Sequence, residues 1–197
     1  MSDKIKIIYD VDDVLNNLNS YIFGKLGLPW GKRYLVTECT CYTKEQVDTL
    51  IKMYGDPEVF RNLTFVPGAK EIFDIERTGQ AEVFIISRNF NQEVANVKME
   101  SLLKHIPNAK PDKIDMQIGS GNNKKIDESA DIIVEDCIEN CIRYPFDTIK
   151  ILIDKPNNQA EAYGICEEEH NIFRVGSLIE ANNLISAIVN HPESIGV

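Results

Sequence analysis

Residues 4–15 have the sequence KIKIIYDVDDVL, and this stretch decides the fold. Its first half is apolar and rich in β-branched residues, which predicts a buried β-strand. Three carboxylates follow the strand at once, those of Asp10, Asp12 and Asp13. Because burial disfavours charge and like charges repel, such a cluster is stable only when a cation or several hydrogen-bond donors lie among the carboxylates. The stretch therefore predicts a Mg²⁺ site at the end of the first strand.

A second interpretation of these carboxylates is a solvated turn or a helix N-cap, because aspartate is common in both places. Residues 4–15 do not decide between the two interpretations. The rest of the chain has to do so.

The composition is that of an ordinary globular protein, with 197 residues, 43% hydrophobic and 26% charged. This length allows one α/β core with an insertion or two small domains.

No secretory signal precedes the first strand and no apolar run reaches membrane-spanning length, so we expect a cytoplasmic protein. The net charge of −10 argues against a nucleic-acid polymer as partner. It does not exclude a nucleotide-sized substrate, since a metal ion and lysines reverse the field within one pocket.

The cysteines and histidines show no metal-ligand spacing. The cysteines lack paired CxxC blocks, which favours free thiols in a reducing compartment. The histidines are scattered, which favours structural or surface roles. These residues are Cys39, Cys41, Cys137, Cys141 and Cys166, and His105, His170 and His191.

After the first strand, residues 16–66 contain few β-branched runs and are predicted to form helices over 19–26, 43–54 and 58–63. Thr43 is the expected N-cap of the second helix, with Gln46 in the capping-box position. We predict that 16–66 is a small helical cap inserted into an α/β core made of 1–15 and 67–197. The segment is rich in aromatics, and we expect most of them to lie in its own core. Trp30, Tyr34 and Tyr42 are candidates to stack on a flat substrate, although a core position is the more common role for such residues.

From residue 67 onward, strands alternate with helices. The predicted strands are 81–86, 114–118, 132–134, 148–153 and 172–175, and the predicted helices are 69–77, 92–103, 124–129, 138–144, 159–168 and 177–190. This alternation is typical of a Rossmann-like α/β fold, a parallel sheet with helices on both faces. Ligands of such sheets bind at the carboxyl ends of the strands.

The predicted strand ends bring together the parts that phosphoryl transfer needs: a carboxylate nucleophile, an acid/base, a metal and donors for the phosphoryl oxygens. The side chains of Asp10 and Asp12, two residues apart in an extended segment, point to the same side. The other polar groups of this edge are Ser87, Arg88 and Asn89 after the second strand, Lys124 and Lys125 at a helix start, and Glu135 and Asp136 after another strand.

These residues resemble the four motifs of the haloacid dehalogenase superfamily of phosphatases. The first motif is DVDDVL at 10–15, the second is Ser87 after VFII, the third is Lys125, and the fourth is Glu135-Asp136 after DIIV. A looser resemblance, to the 5′(3′)-deoxyribonucleotidase family, covers nearly the whole chain. It is carried by DPEVFRNL at 56–63, PGA at 67–69 and ILIDKPNN at 151–158.

The resemblance implies a role for each of these residues. Asp10 would attack phosphorus, and Asp12 would protonate the leaving alcohol and later deprotonate water. Mg²⁺ would be held by the Asp10 side chain, the Asp12 carbonyl and the Glu135-Asp136 pair, with Asp136 preferred as the direct ligand. Ser87 and Lys125 would bind the phosphoryl oxygens, and Arg88 is a further candidate for substrate contact.

Simpler interpretations remain for single residues. Lys124 competes with Lys125 for the third motif, Ser87 is also a plausible N-cap, and Lys125 also fits a surface lysine. Asp13 stands where many members of the superfamily have glycine, which adds negative charge beside the site.

The expected function is therefore a Mg²⁺-dependent phosphomonoesterase that acts on a nucleoside monophosphate. Two alternatives remain at this point: a phosphatase of a sugar phosphate or another small phosphomonoester, and a non-catalytic protein that binds a phosphorylated ligand. The expected partner is a small molecule, neither a nucleic-acid polymer nor a membrane, and the oligomeric state stays open.

Overall fold

The computed structural model of the protein describes residues 4–33, 35–119 and 126–191. Six strands in these ranges form one sheet, in the order β3-β2-β1-β4-β5-β6, and each neighbouring pair is parallel. The strands are β1 (Ile5–Tyr9), β2 (Ala81–Asn89), β3 (Ile114–Ile118), β4 (Ile132–Glu135), β5 (Ile149–Ile153) and β6 (Ile172–Val175).

The described residues contain seven α-helices, which alternate with the strands except between β3 and β4. They are α1 (Leu18–Leu26), α2 (Lys44–Tyr54), α3 (Pro57–Arg61), α4 (Gln92–His105), α5 (Ile138–Cys141), α6 (Ala160–Tyr163) and α7 (Leu178–Asn190). None of the helices in the described ranges is long and apolar enough to cross a lipid bilayer.

Strand β1 lies at the centre of the sheet because its apolar residues are buried on both faces. Ile7 and Tyr9 face the layer that contains α4 and α7, whereas Ile8 faces the layer that contains α5 and α6. Ile7 pairs with Val83 of β2 on one side and with Ile132 of β4 on the other. The predicted parallel sheet with helices on both faces is confirmed.

Residues 16–66 leave the sheet and return to it at one place. Asn16 and Phe65 form a β-bridge, and the amide of Val66 donates to the carbonyl of Leu15 at 3.0 Å. Helices α1, α2 and α3 between these points share an apolar cluster around the fully buried Leu50, which also includes side chains of α4. The segment is therefore helical and packs against the helix that follows β2; its division from the core as a separate unit stays a prediction.

N-cap residues in the sequence correctly predict the starts of two helices. Thr43 caps α2 with the full capping box, and the Ser177 hydroxyl accepts from the amide of Glu180 at the start of α7.

Four predicted helices differ from the structure, and one of them is α5, which covers only Ile138–Cys141 of the predicted 138–144. Residues 69–77 form two short 3₁₀ segments, Ala69–Glu71 and Asp74–Thr78, because the backbone hydrogen bonds run to the third residue back, from the Glu71 amide to the Gly68 carbonyl and from the Glu76 amide to the Phe73 carbonyl. Helix α6 covers only part of 159–168, since Gly164 ends it in a left-handed conformation. Of the predicted helix 124–129, residues 124 and 125 lie outside the described ranges and the remaining residues are not helical.

Candidate active site

The carboxyl ends of β1 and β4 bring three carboxylates together. The two strands are neighbours, with Tyr9 beside Val134, and the Asp10 amide donates to the Val134 carbonyl at 3.0 Å. Carboxylate oxygens of Asp10, Glu135 and Asp136 consequently lie within 4.8 Å of one another, and all three residues are buried. We call these three residues the acidic cluster.

The acidic cluster has the chemistry of a site for a hard cation. Both carboxylate oxygens of Asp136 are buried and have no hydrogen-bond partner in the described part of the chain. Burial raises the pKa of Asp136 well above its usual range, and the charges of Asp13, Asp10 and Glu135 raise it further. A divalent cation with oxygen ligands removes this repulsion, so the residues present fit such an ion.

Buried side chains support the acidic cluster from behind. The Asn140 side-chain amide of α5 donates to Glu135 at 3.3 Å. The amide of Asn158 donates to the backbone carbonyl of Asp136 at 2.7 Å, and Asn158 in turn accepts a bond of 2.7 Å from the Arg174 guanidinium. Arg174 thus fixes, through Asn158, the backbone that carries Asp136.

The side chain of Asp12 belongs to a different group of contacts. One carboxylate oxygen accepts from the Asn16 amide at 3.1 Å, and the other forms an ion pair with the ammonium of Lys98. The metal-binding role that the family resemblance implies for the backbone carbonyl of Asp12 stays a prediction. The side chain points to the polar group that includes Ser87.

Lys98 is the residue of this site that sequence reasoning missed. It lies on α4, its side chain is 3% exposed, and its ammonium also lies 3.3 Å from the Ser87 hydroxyl. One signal was present in the sequence: Lys98 is spaced four residues from Val94 and four from Leu102, which places it on the buried face of the helix.

Ser87, Arg88 and Asn89, predicted to follow the second strand, are instead the last residues of β2, which extends beyond the predicted 81–86. Ser87 is buried near the end of β2, and Arg88 donates through Nε to the carbonyl of Gly119 at 3.2 Å. Asn89 donates to the carbonyls of Ser87 and Gln117, each at 3.2 Å, and so links the ends of β2 and β3. Lys124 and Lys125 lie outside the described residues.

Asp13 adopts the left-handed conformation, with φ of 58°. Its carboxylate is buried and accepts from the amide of Asn19 at 3.0 and 3.2 Å. Burial raises the pKa of Asp13 to about 7, and the charges of Asp12 and Asp10 act in the same direction, while Lys155 and the Asn19 amide oppose it. Glycine would adopt this backbone conformation without steric cost. Asp13 adopts it with a side chain that accepts from the amide of Asn19 and so anchors the start of α1.

A cleft of about 360 Å³ opens above these residues. Its lining includes charged side chains (Asp10, Asp12, Asp13, Arg88 and Lys98), polar ones (Asn19, Thr37, Asn89 and Asn140) and apolar or aromatic ones (Leu18, Leu35, Val36, Ile51, Tyr54, Phe60, Phe90 and Val94).

Aromatic rings from both sides line this cleft. Tyr54 of α2 and Phe90 after β2 stack with ring centroids 6.4 Å apart and planes inclined by 10°. The hydroxyl of Tyr54 donates to the Asn19 side chain at 2.5 Å. Trp30 and Tyr42, which the sequence offered as candidates to stack on substrate, instead stack on Phe23 within the helical segment. Tyr34, the third candidate, lies outside the described residues.

The family model described as 5′ nucleotidase, deoxy (pyrimidine), cytosolic type C protein matches residues 3–190. A search of curated protein sequences gave no match.

Solved structures of low sequence identity share the fold. A haloacid dehalogenase-like family hydrolase from Streptococcus pneumoniae is 15% identical, with a TM-score of 0.53 over 94% of this chain and 100% of that one. A hydrolase from Pseudomonas syringae is 14% identical, with a TM-score of 0.52 over 98% and 100% of the two chains. A phosphonoacetaldehyde hydrolase-like protein from Oleispira antarctica is 9% identical, with a TM-score of 0.52 over 95% and 93%.

Proposed function

Because this chain belongs to the family of deoxy (pyrimidine) cytosolic type C 5′ nucleotidases, we propose that it is a Mg²⁺-dependent phosphomonoesterase of nucleoside monophosphates. The observation that supports this most strongly is that Asp10 of the acidic cluster lines, together with Asp12, a cleft that also contains apolar and aromatic side chains. The cluster suits a cation and a phosphoryl group, and the cleft suits a flat, partly apolar leaving group.

We propose that Asp10 is the nucleophile and Asp12 the acid/base. An oxygen of Asp10 attacks phosphorus, the bond from phosphorus to the leaving oxygen breaks, and Asp12 gives its proton to the alcohol. In the second step Asp12 takes a proton from water, whose oxygen attacks phosphorus and releases Asp10 with inorganic phosphate. The contacts of Asp12 with Asn16 and Lys98 hold its carboxylate in one orientation for both steps.

The acidic cluster and the carbonyl of Asp12 are the groups that would hold Mg²⁺. When bound, the ion offsets the negative charges of the nucleophile and the phosphoryl group together. Carboxylate oxygens of Asp10, Glu135 and Asp136 already lie within 4.8 Å of one another, which suits this role.

The phosphoryl oxygens are proposed to bind to Ser87 and Lys125, with Arg88 as a further substrate contact. The position of Ser87 supports this role, because its hydroxyl lies 3.3 Å from the ammonium of Lys98, which pairs with Asp12. Arg88 lines the same cleft.

We propose that residues 16–66 act as a cap that excludes water from the reacting groups. Tyr54 and Phe60 of this segment line the cleft together with Asp10 and Asp12. A nucleobase stacks favourably on aromatic faces, which supports a nucleotide over a sugar phosphate. The family description adds pyrimidine deoxyribonucleotides as the first substrates to test. Five free thiols suit the predicted cytoplasmic location.

Phosphate release tests this proposal. The wild type should hydrolyse pyrimidine deoxyribonucleoside monophosphates faster than sugar phosphates, and chelation of Mg²⁺ should abolish turnover. Asp10→Asn should remove the activity. Asp74 is exposed and does not line the cleft, so Asp74→Asn should leave the activity unchanged.

Two other results would change the proposal. Equal rates with sugar phosphates would favour the broader phosphatase alternative. Binding of phosphate without hydrolysis across the panel would favour the non-catalytic alternative.

A further inference from the structure

Lys98 occupies an unusual position for a lysine on an amphipathic helix. Its side chain is 3% exposed, although α4 has a solvent-facing side that carries the exposed Lys104. A buried ammonium is unfavourable unless other groups take its donors and offset its charge. An apolar residue of the same length would fill this place without that cost, so the charge itself calls for an explanation.

The contacts of the ammonium supply that explanation. It pairs with the carboxylate of Asp12, and it lies 3.3 Å from the Ser87 hydroxyl and 3.4 Å from the Arg88 carbonyl. The ring of Phe60 lies 4.7 Å from it on another side. The three donors of the ammonium are thus directed at the proposed acid/base and at the strand end that carries the proposed phosphate ligand.

Building on the proposed function, we propose that Lys98 binds the phosphoryl group of the substrate and positions Asp12. A phosphoryl group bound by Ser87 comes within reach of the same ammonium, because the Ser87 hydroxyl and Lys98 are already at hydrogen-bond distance. The substrate brings negative charge next to Asp10 and Asp12, and a cation held by burial in a low dielectric offsets this charge more strongly than an exposed one.

The positioning part of the proposal follows from the two contacts of Asp12. Asn16 holds one carboxylate oxygen and Lys98 holds the other, so loss of Lys98 leaves the acid/base fixed on one side only. Lys98 reaches the site from α4, whereas the third-motif lysine precedes β4 in the sequence, so the two lysines are separate contributions.

Three variants separate charge, shape and location. Lys98→Met keeps most of the side-chain length and removes the charge, Lys98→Arg keeps the charge, and Lys104→Met makes the same change at an exposed position of the same helix. Binding of inorganic phosphate in Mg²⁺ is measured by calorimetry. Turnover is measured with a deoxyribonucleoside monophosphate and with p-nitrophenyl phosphate, whose leaving group needs little help from a proton donor.

We expect Lys98→Met to weaken phosphate binding about 10- to 100-fold, the usual effect of losing a charge-assisted hydrogen bond. Its kcat should fall further with the nucleotide than with p-nitrophenyl phosphate, because Asp12 is less well held. Lys98→Arg should recover most of the phosphate binding, and Lys104→Met should match the wild type.

Phosphate binding by Lys98→Met within about twofold of the wild type would overturn the proposal. So would an equal loss of kcat for the two leaving groups together with no rescue by arginine, which is the pattern of a purely structural residue. Should Lys98→Met not fold, Lys98→Gln, which keeps polar donors without the charge, carries the same comparison. A wild type that hydrolyses no phosphomonoester refutes the proposed function alone, since calorimetry still decides the role of Lys98.

Discussion

Replacement of Asp13 by asparagine isolates the energetic cost of burying a strand-end carboxylate. Asp13 is buried, has φ of 58° and accepts from the amide of Asn19 at 3.0 Å. Asparagine visits the left-handed conformation readily, and its side-chain oxygen can accept the same bond. The main change in Asp13→Asn is therefore the loss of a titratable charge.

The magnitude follows from the shift in the pKa of Asp13, from 3.8 to about 7, caused first by burial. The folded protein binds the proton more tightly than the unfolded chain, so this contribution to stability is fully present below about pH 4 and is lost as the pH rises to about 7. The difference corresponds to about 4 kcal/mol of unfolding free energy. Asp13→Asn should thus be more stable than the wild type by up to about 4 kcal/mol at pH 8, and the gain should shrink towards zero near pH 4.

Urea unfolding in the presence of EDTA, at several pH values between 4 and 8, measures the difference in unfolding free energy between Asp13→Asn and the wild type. Mg²⁺ should reduce the gain, because a nearby cation stabilises the charged form of Asp13. Asp13→Ala is the matched control: it also removes the charge but loses the bond to Asn19 and adds about 1–2 kcal/mol of backbone strain. If Asp13→Asn is no more stable than the wild type at pH 8, or if its gain in unfolding free energy is the same at every pH, then the buried charge of Asp13 is not the cause.

Three further predictions concern the helical segment and the support of the acidic cluster. Thr43→Ala should lower the unfolding free energy by about 1 kcal/mol in urea titrations, and an unchanged value would contradict the capping role. Leu50→Ala, at a fully buried position, should cost about 2–5 kcal/mol in the same assay; a much smaller loss would mean that the apolar cluster around Leu50 is not tightly packed. Arg174→Met should weaken Mg²⁺ binding in calorimetry, because Asn158 then holds the backbone of Asp136 less firmly; unaltered Mg²⁺ affinity would contradict this link.

The parts of the molecule that follow from short-range pattern were predictable. Alternating apolar runs and helical segments specify a parallel sheet, and the cap residues Thr43 and Ser177 mark helix starts through contacts three residues away. The acidic cluster was accessible too, because carboxyl ends of parallel strands meet at one edge and Asp10 and Glu135 each follow a β-branched run. In 69–77, by contrast, the spacing of the buried Ala69, Ile72 and Phe73 also fits an α-helix, so the sequence alone does not show the 3₁₀ hydrogen bonds that form there.

The contacts of Lys98 depend on tertiary structure. Lys98 and Asp12 are 86 residues apart in the chain, and a lysine on an amphipathic helix is normally solvated. Phe90 and Tyr54 likewise meet only once the helical segment lies against the strand ends. The spacing of Lys98 with Val94 and Leu102 was a usable signal, but it indicates burial on the helix and not the partner that the ammonium finds.

Asp10 is proposed to form an aspartyl-phosphate, and trapping this intermediate is a direct test of that role. In Asp12→Asn the first step with p-nitrophenyl phosphate needs little protonation of the leaving group, whereas the second step lacks its base. Acid-quenched Asp12→Asn should therefore carry one phosphoryl group on the peptide that contains residue 10, and Asp10→Asn/Asp12→Asn should carry none. A phosphoryl group at any other residue, or burst release of p-nitrophenol without a modified protein, would contradict the account.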